Sequence, residues 1–260
     1  MGWQVRLMDV HKRYRIYQQR YLTLKEVVLH RRFGEWEDRW ALRGVSFDVP
    51  SGSVLGVIGP NGAGKSTALK LMAQILTPDR GRVEVKGRLS ALLELGSGFQ
   101  TEYTGRENVY LNGSLLGLSA REIKRRFDDI VAFAELEDHI DAPLRTYSSG
   151  MAVRLGYAIA MHCDPEVMLL DEVLAVGDEA FQRKCASHIA GFRQRGGTIV
   201  LVSHALGTVR SIATTVAWLQ DGTIRAAGDP GEVIDAYVAD LHDERPDLFP
   251  APSSRDDADS

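Results

Sequence analysis

The chain has little sulfur chemistry: two cysteines in 260 residues, Cys163 and Cys185. They stand at no metal-ligand or redox spacing, which excludes a zinc or disulfide framework and predicts two free thiols in a reducing cytosol. No apolar run is long enough to cross a bilayer, since the stretch over residues 167–176 is broken by Asp171 and Glu172. The first residues, Met1-Gly2-Trp3-Gln4-Val5-Arg6, lack the apolar core of a secretory signal. A basic excess is also missing: net charge is −4, with a pI near 6.0, which argues against a generic nucleic-acid binder. No internal repeat is visible. What remains, 44% hydrophobic and 25% charged over 260 residues, is the composition of one large α/β domain with a subdomain.

The most informative stretch is Gly59-Pro60-Asn61-Gly62-Ala63-Gly64-Lys65-Ser66-Thr67, which fits G-x-x-x-x-G-K-[ST] and occurs once. An apolar run over residues 54–58 predicts a strand before it, and residues 68–73 read as the helix after it. A polyphosphate needs backbone N–H groups that wrap it closely, which glycines permit, and a helix N-terminus adds positive potential. Lys65 then brings a point charge to the β- and γ-phosphates, and Ser66 a hydroxyl ligand for Mg²⁺.

Around this loop, residues 5–10 and 40–49 read as strands, the second alternating well from Val45. The basic and aromatic residues 11–17 between them read as a loop, from which Tyr14 is favoured over Tyr17 to stack on adenine. Thr23 and Glu26 have capping-box spacing and open a helix over about residues 23–33, ended by Gly34. That helix is either a solvated surface element or a docking element. Pro50-Ser51-Gly52 and the stretch 77–81 are turns, and residues 83–85 a short edge strand.

From about residue 96 to 164 the pattern turns helical: a capping box at Thr104 and Glu107, a helix over 120–133, and another over 153–162. This predicts a helical subdomain. Strands resume with the buried run 167–170, which ends in Asp171 and Glu172 at the edge where open α/β sheets hold ligands. There Asp171 can help hold Mg²⁺ while Glu172 faces the γ-phosphate. The run 198–202 ends in Ser203 and His204, which makes His204 a site candidate. Asp221-Gly222 marks a hairpin, and Asp229-Pro230 opens a last helix to about residue 241. The tail from about residue 244 to 260, rich in Pro, Ser and acids, reads as disordered.

Over residues 5–240 this constellation resembles the nucleotide-binding subunits of ABC transporters. The resemblance rests on the phosphate loop, the acidic strand end Leu169-Leu170-Asp171-Glu172, the switch His204, and Tyr147-Ser148-Ser149-Gly150-Met151 in place of the family's Leu-Ser-Gly-Gly-Gln signature. It implies a P-loop α/β core with an antiparallel β subdomain and a helical signature subdomain, the ATPase domain running over residues 1–243. It also implies ATP and Mg²⁺ as ligands and a head-to-tail homodimer. In that dimer each ATP lies between one copy's phosphate loop and the Ser148, Ser149 and Gly150 of the other. The family's glutamine-bearing loop is filled by Glu94, favoured here as a metal-site residue, or by Gln100.

Several variants together resemble the branch that exports polysaccharides such as O-antigen, capsule, teichoic acid or cell-wall glycan. They are Leu93-Glu94-Leu95-Gly96-Ser97-Gly98-Phe99, the Thr104–Asn108 stretch, the signature variant, and Ala175-Val176-Gly177-Asp178 after Glu172. In that branch the extra stretch between Tyr14 and Trp40 resembles a helix near the substrate entrance. The resemblance implies a peripheral subunit on the cytoplasmic face of the membrane, working with a separate multi-spanning permease on a lipid-linked glycan, without nucleic acid. A C-terminal carbohydrate-binding domain is not expected in this chain. The alternatives are an exporter of another lipid or a drug, a soluble ABC ATPase acting on ribosomes or DNA, and a regulatory module without turnover.

Overall fold

The computed structural model describes residues 2–17, 36–93, 96, 98–171 and 177–244. The expected helix over 23–33, Glu94, Glu172 and the tail from 245 lie outside them. A parallel sheet forms where short apolar runs have both faces covered. Strands β3 (Val54–Ile58), β5 (Leu89–Leu92), β6 (Val167–Asp171), β7 (Thr198–Val202), β8 (Thr215–Gln220) and β9 (Thr223–Gly228) lie in the order β5-β6-β7-β3-β8-β9. All neighbours are parallel except β8 and β9, which form a hairpin across Asp221-Gly222.

The period-2 alternation of each run divides its side chains between two cores. Met168, Leu170, Ile199 and Leu201 pack on one face with Phe181, Cys185, Ile189 and Phe192 of α5 (Glu179–Gln194). Val167, Leu169, Val200 and Val202 pack on the other with Ala68, Leu69 and Met72 of α1 (Lys65–Met72). Each such aliphatic side chain contributes about 1.5–3 kcal/mol by leaving water, so the strand ends are held firmly.

A second, three-stranded antiparallel sheet, order β2-β1-β4, lies over α1. It comprises β1 (Trp3–Tyr17), β2 (Trp36–Pro50) and β4 (Arg80–Val85). Residues 11–17 are therefore strand, where the sequence suggested a loop. Arg13, Tyr14, Arg15, Ile16 and Tyr17 pair with Trp40, Arg39, Asp38, Glu37 and Trp36 in turn. Cross-strand stacking explains the extension: the Arg15 guanidinium sits 4.0 Å over the Trp36 ring and that of Arg13 5.7 Å over Trp40, while both pair with Asp38.

The helical region holds α2 (Gly105–Leu115), α3 (Ala120–Ala134) and α4 (Ser149–Met161) around a third core of Val109, Ile123, Phe127, Ile130 and Leu155. The Thr104–Glu107 capping box forms as expected, and a second, Ser119–Glu122, opens α3. Among the described residues, β5, α5, α6 (Leu206–Ile212) and a 3₁₀ turn (Leu144–Thr146) were not read from the sequence. The last helix, α7, spans Pro230–Glu244. Both thiols are free and buried, and burial pushes each up to about 11.

Candidate functional site

The C-terminal ends of β3, β6 and β7 meet at a cavity of about 450 Å³ lined by Ala41, Asn61, Gly62, Gly64, Lys65, Ser66, Thr67, Asp171, Val202 and His204. This is the crevice that an open α/β sheet offers. The loop that closes it has backbone geometry only glycine accepts at its two ends. Gly59 has φ 141 and a Cβ there would stand 2.0 Å from the Leu219 carbonyl oxygen. Gly64 has φ 105, and its Cβ would stand 2.4 Å from the Ala41 carbonyl oxygen.

Gly64 leads directly into α1, whose N-terminus carries no side-chain cap and no acid in its first turn. The donors at its start face the cavity rim through Lys65, Ser66 and Thr67. Lys65 is 6% exposed, and its Nζ donates to the carbonyl oxygens of Gly59 at 2.8 Å and Pro60 at 2.9 Å, so the amine spans the loop from inside. Ala63 is buried in the core beneath and fixes the loop's floor rather than lining the cavity.

One support was not legible in the sequence. The β8–β9 turn buttresses the phosphate loop: Gly222 N donates to the Ala63 carbonyl at 3.2 Å, and Arg43 N donates to the Gly222 carbonyl at 2.8 Å. Asp221-Gly222 signalled a hairpin, but which loop it would lean on depends on strand order. Asn108 is another such position. It is fully buried, accepts from Gln100 N at 2.8 Å, and donates to the Gln100 and Thr104 carbonyls at 2.9 Å each. A side chain so fully satisfied locks the loop before α2.

Of the residues expected from the sequence, the structure brings Asn61, Gly62, Gly64, Lys65, Ser66, Thr67, Asp171 and His204 to one cavity. Tyr14 joins them from the ribbon, its hydroxyl 3.4 Å from Thr67 Oγ1, while Tyr17 pairs opposite Trp36 further along the ribbon. Tyr14 is 40% exposed, an open ring beside the site. Gln100 is exposed and does not line the cavity. Ser148, Ser149 and Gly150 do not line it either. Ser148 N-caps α4, accepting from Met151 N at 3.2 Å, so the three open an exposed helix end elsewhere on the surface.

That helix is tied by ion pairs to the end of α3 and the start of α5. Arg154 of α4 donates to Glu135 at 2.9 Å and to Asp178, the N-cap of α5, at 2.5 Å, while Lys184 donates to Glu135 at 3.2 Å. Asp178 is held below the usual carboxylate range, first by the Phe181 N–H and then by Arg154. Arg154→Ala removes both contacts, yet Glu135 and Asp178 remain half-exposed and rehydrate. A loss of about 1 kcal/mol follows, seen as a melting temperature about 2–4 °C lower. A cycle with Asp178→Ala is expected to show non-additivity, and strict additivity would mean the two residues are not coupled.

The residues present fit a nucleoside triphosphate: an uncapped helix start, a buried ammonium and glycines that leave backbone N–H groups accessible. Ser66 and Asp171, both on the cavity wall, offer the hard oxygen ligands a Mg²⁺ takes. A P-loop nucleotide-binding ATPase is the class that this sheet order and site define.

The ABC transporter family matches residues 42–175, and this chain belongs to it. The chain is 45% identical over 238 residues to the O-antigen export system ATP-binding protein RfbB of Myxococcus xanthus, covering 89% of this chain and 54% of that protein. It thus spans about half of that relative's length. It is 42% identical to the RfbB of Klebsiella pneumoniae, covering 90% of this chain and 96% of that one. The teichoic acids export ATP-binding protein TagH of Bacillus anthracis is 38% identical, over 91% of this chain and 43% of its own. Among solved structures, an ATP-binding subunit of an ABC transporter superposes with a TM-score of 0.71 at 20% identity, over 93% of this chain and 98% of that one. A dimeric ATP-binding cassette in a post-hydrolysis state with ADP and Pi gives 0.67 at 22% identity, over 87% and 98%. Both confirm the fold.

Proposed function

We propose that this chain is the ATP-hydrolysing subunit of a transporter that exports a lipid-linked polysaccharide across the cytoplasmic membrane. The reading is carried by the phosphate-loop cavity in a chain 42% identical, nearly end to end, to an O-antigen export ATP-binding protein. Among the described residues no helix is long and apolar enough to cross a membrane, so a separate permease supplies the path. The chain then sits as a peripheral subunit on the membrane's cytoplasmic face.

In this reading the loop N–H groups and Lys65 hold the phosphates, and Tyr14 stacks on the base. Ser66 and Asp171, with Glu94, would hold a Mg²⁺, which would supply positive charge against the phosphates. Glu172 orients or activates the attacking water, and His204 contacts the γ-phosphate. Ser148, Ser149 and Gly150 lie off their own cavity, at an exposed helix start suited to an anion. Their natural ligand is the γ-phosphate held by a second copy, so two chains close head to tail around ATP. Hydrolysis removes the bridging group and releases the clamp.

The test is reconstitution. The chain is expected to co-purify with a multi-spanning membrane protein, and purified lipid-linked glycan should raise the ATPase rate of the complex severalfold. Co-purification with ribosomes or DNA would overturn the reading, and a rate responsive only to drugs or simple lipids would change the substrate class.

A further inference from the structure

The β1–β2 ribbon carries four arginines where it runs past the site: Arg13 and Arg15 on β1, Arg39 and Arg43 on β2. Arg13 and Arg15 are both engaged with Asp38 and stacked on tryptophans. Arg39 and Arg43 are both exposed and make no ion pair among the described residues, and of the two it is Arg39 whose guanidinium is found at the phosphate loop. Arg39 lies on the Tyr14 side of the ribbon. In the ribbon's register it stands directly opposite Tyr14, the residue whose hydroxyl lies 3.4 Å from Thr67 Oγ1.

Its guanidinium points toward the phosphate loop: Arg39 Nη2 is 4.0 Å from where a Cβ on Gly62 would stand, and no other neighbouring atom comes that near. Gly62 itself lines the cavity, as does Ala41, two residues beyond Arg39 on β2. A cation with no carboxylate partner among the described residues is thus held at the edge of a loop built to take a polyanion. We propose that Arg39 is a nucleotide-binding residue that contacts the polyphosphate from the ribbon side, across the cavity mouth from Lys65.

The inference rests on ATP being this site's ligand. A guanidinium and a phosphate form a charge-assisted, often bidentate contact, which a lysine reproduces only as a point charge. The ribbon then grips the nucleotide twice, with Tyr14 at the base and Arg39 at the phosphates.

The test is equilibrium binding of ATP, ADP and AMP to the full chain by calorimetry, for the wild type, Arg39→Ala, Arg39→Lys and Arg43→Ala. Arg43 is an exposed arginine on the same strand whose side chain does not line the cavity, and the backbone N–H by which it meets Gly222 survives in Arg43→Ala, so the change controls for net charge. Arg39→Ala is expected to weaken ATP roughly tenfold, ADP less and AMP hardly at all, with Arg39→Lys between and Arg43→Ala near wild type. The ligand-free melting temperature of Arg39→Ala should stay within about 1 °C, since no ion pair is lost. If wild type binds ATP and Arg39→Ala binds all three nucleotides within twofold of it, the proposal is overturned alone. An equal loss for ATP and AMP would also sink it, because the contact would not be with the phosphates. Were wild type to bind no ATP, the functional reading would fall and this one with it.

Discussion

Glu172→Gln is expected to bind ATP about as well as wild type and to hydrolyse it about 10²–10⁴-fold more slowly. The residue before it, Asp171, ends a strand whose four preceding residues are buried, and it lies on the cavity wall. A carboxylate can take a proton from an attacking water, and an amide of the same shape cannot. Binding and turnover therefore separate. With hydrolysis blocked, the ATP-bridged pair should persist and elute as a dimer on size exclusion in ATP, against a monomer without nucleotide. Near-normal turnover in this variant would remove Glu172 from the role of base.

The second large effect is at Lys65. Its ammonium sits inside the loop at 6% exposure with two loop carbonyls as acceptors. Lys65→Met keeps the side chain's length and apolar stem but deletes the charge. Truncating a cation that faces an anion in a desolvated site costs about 2–5 kcal/mol, roughly 30-fold to several thousand-fold in ATP affinity. The fold should survive, because the core beneath the loop is built by Ala63, Ala68, Leu69 and Met72. Calorimetric titration with ATP, alongside far-ultraviolet dichroism, checks both halves. Affinity within threefold of wild type would show that the amine braces the loop and leaves the phosphates to the backbone.

The Lys65 effect was foreseeable because a phosphate loop is a local device: glycine spacing, one lysine and the hydroxyls after it lie within nine consecutive residues. The capping box at Thr104–Glu107 and the β8–β9 turn were legible for the same reason, each being decided by neighbours three or four positions apart. The strand through residues 11–17 was not. Its basic and aromatic side chains look like loop until Trp36, Asp38 and Trp40 are brought opposite them. The helix at 179–194 was missed, although its buried residues Phe181, Cys185, Ile189 and Phe192 recur at helical spacing. Strand β5 is four residues long and has no turn signal that separates it from the loop after it.

By itself, then, the order of residues determined that a phosphate loop follows a buried strand, that an acid and a histidine end two further strands, and that an apolar helix follows Ser148-Ser149-Gly150. Covalent neighbours suffice for each of those features. Only the tertiary structure decided that β6 and β7 lie on one side of β3, so that Asp171 and His204 converge on Lys65. It alone put the Asp221-Gly222 turn under the loop and folded the ribbon so that Tyr14 and Arg39 reach it. Strand order and ribbon register are set by packing between residues that are not local in sequence, Tyr14 with Arg39 and Val57 with Val202 among them, and no local pattern records such pairings.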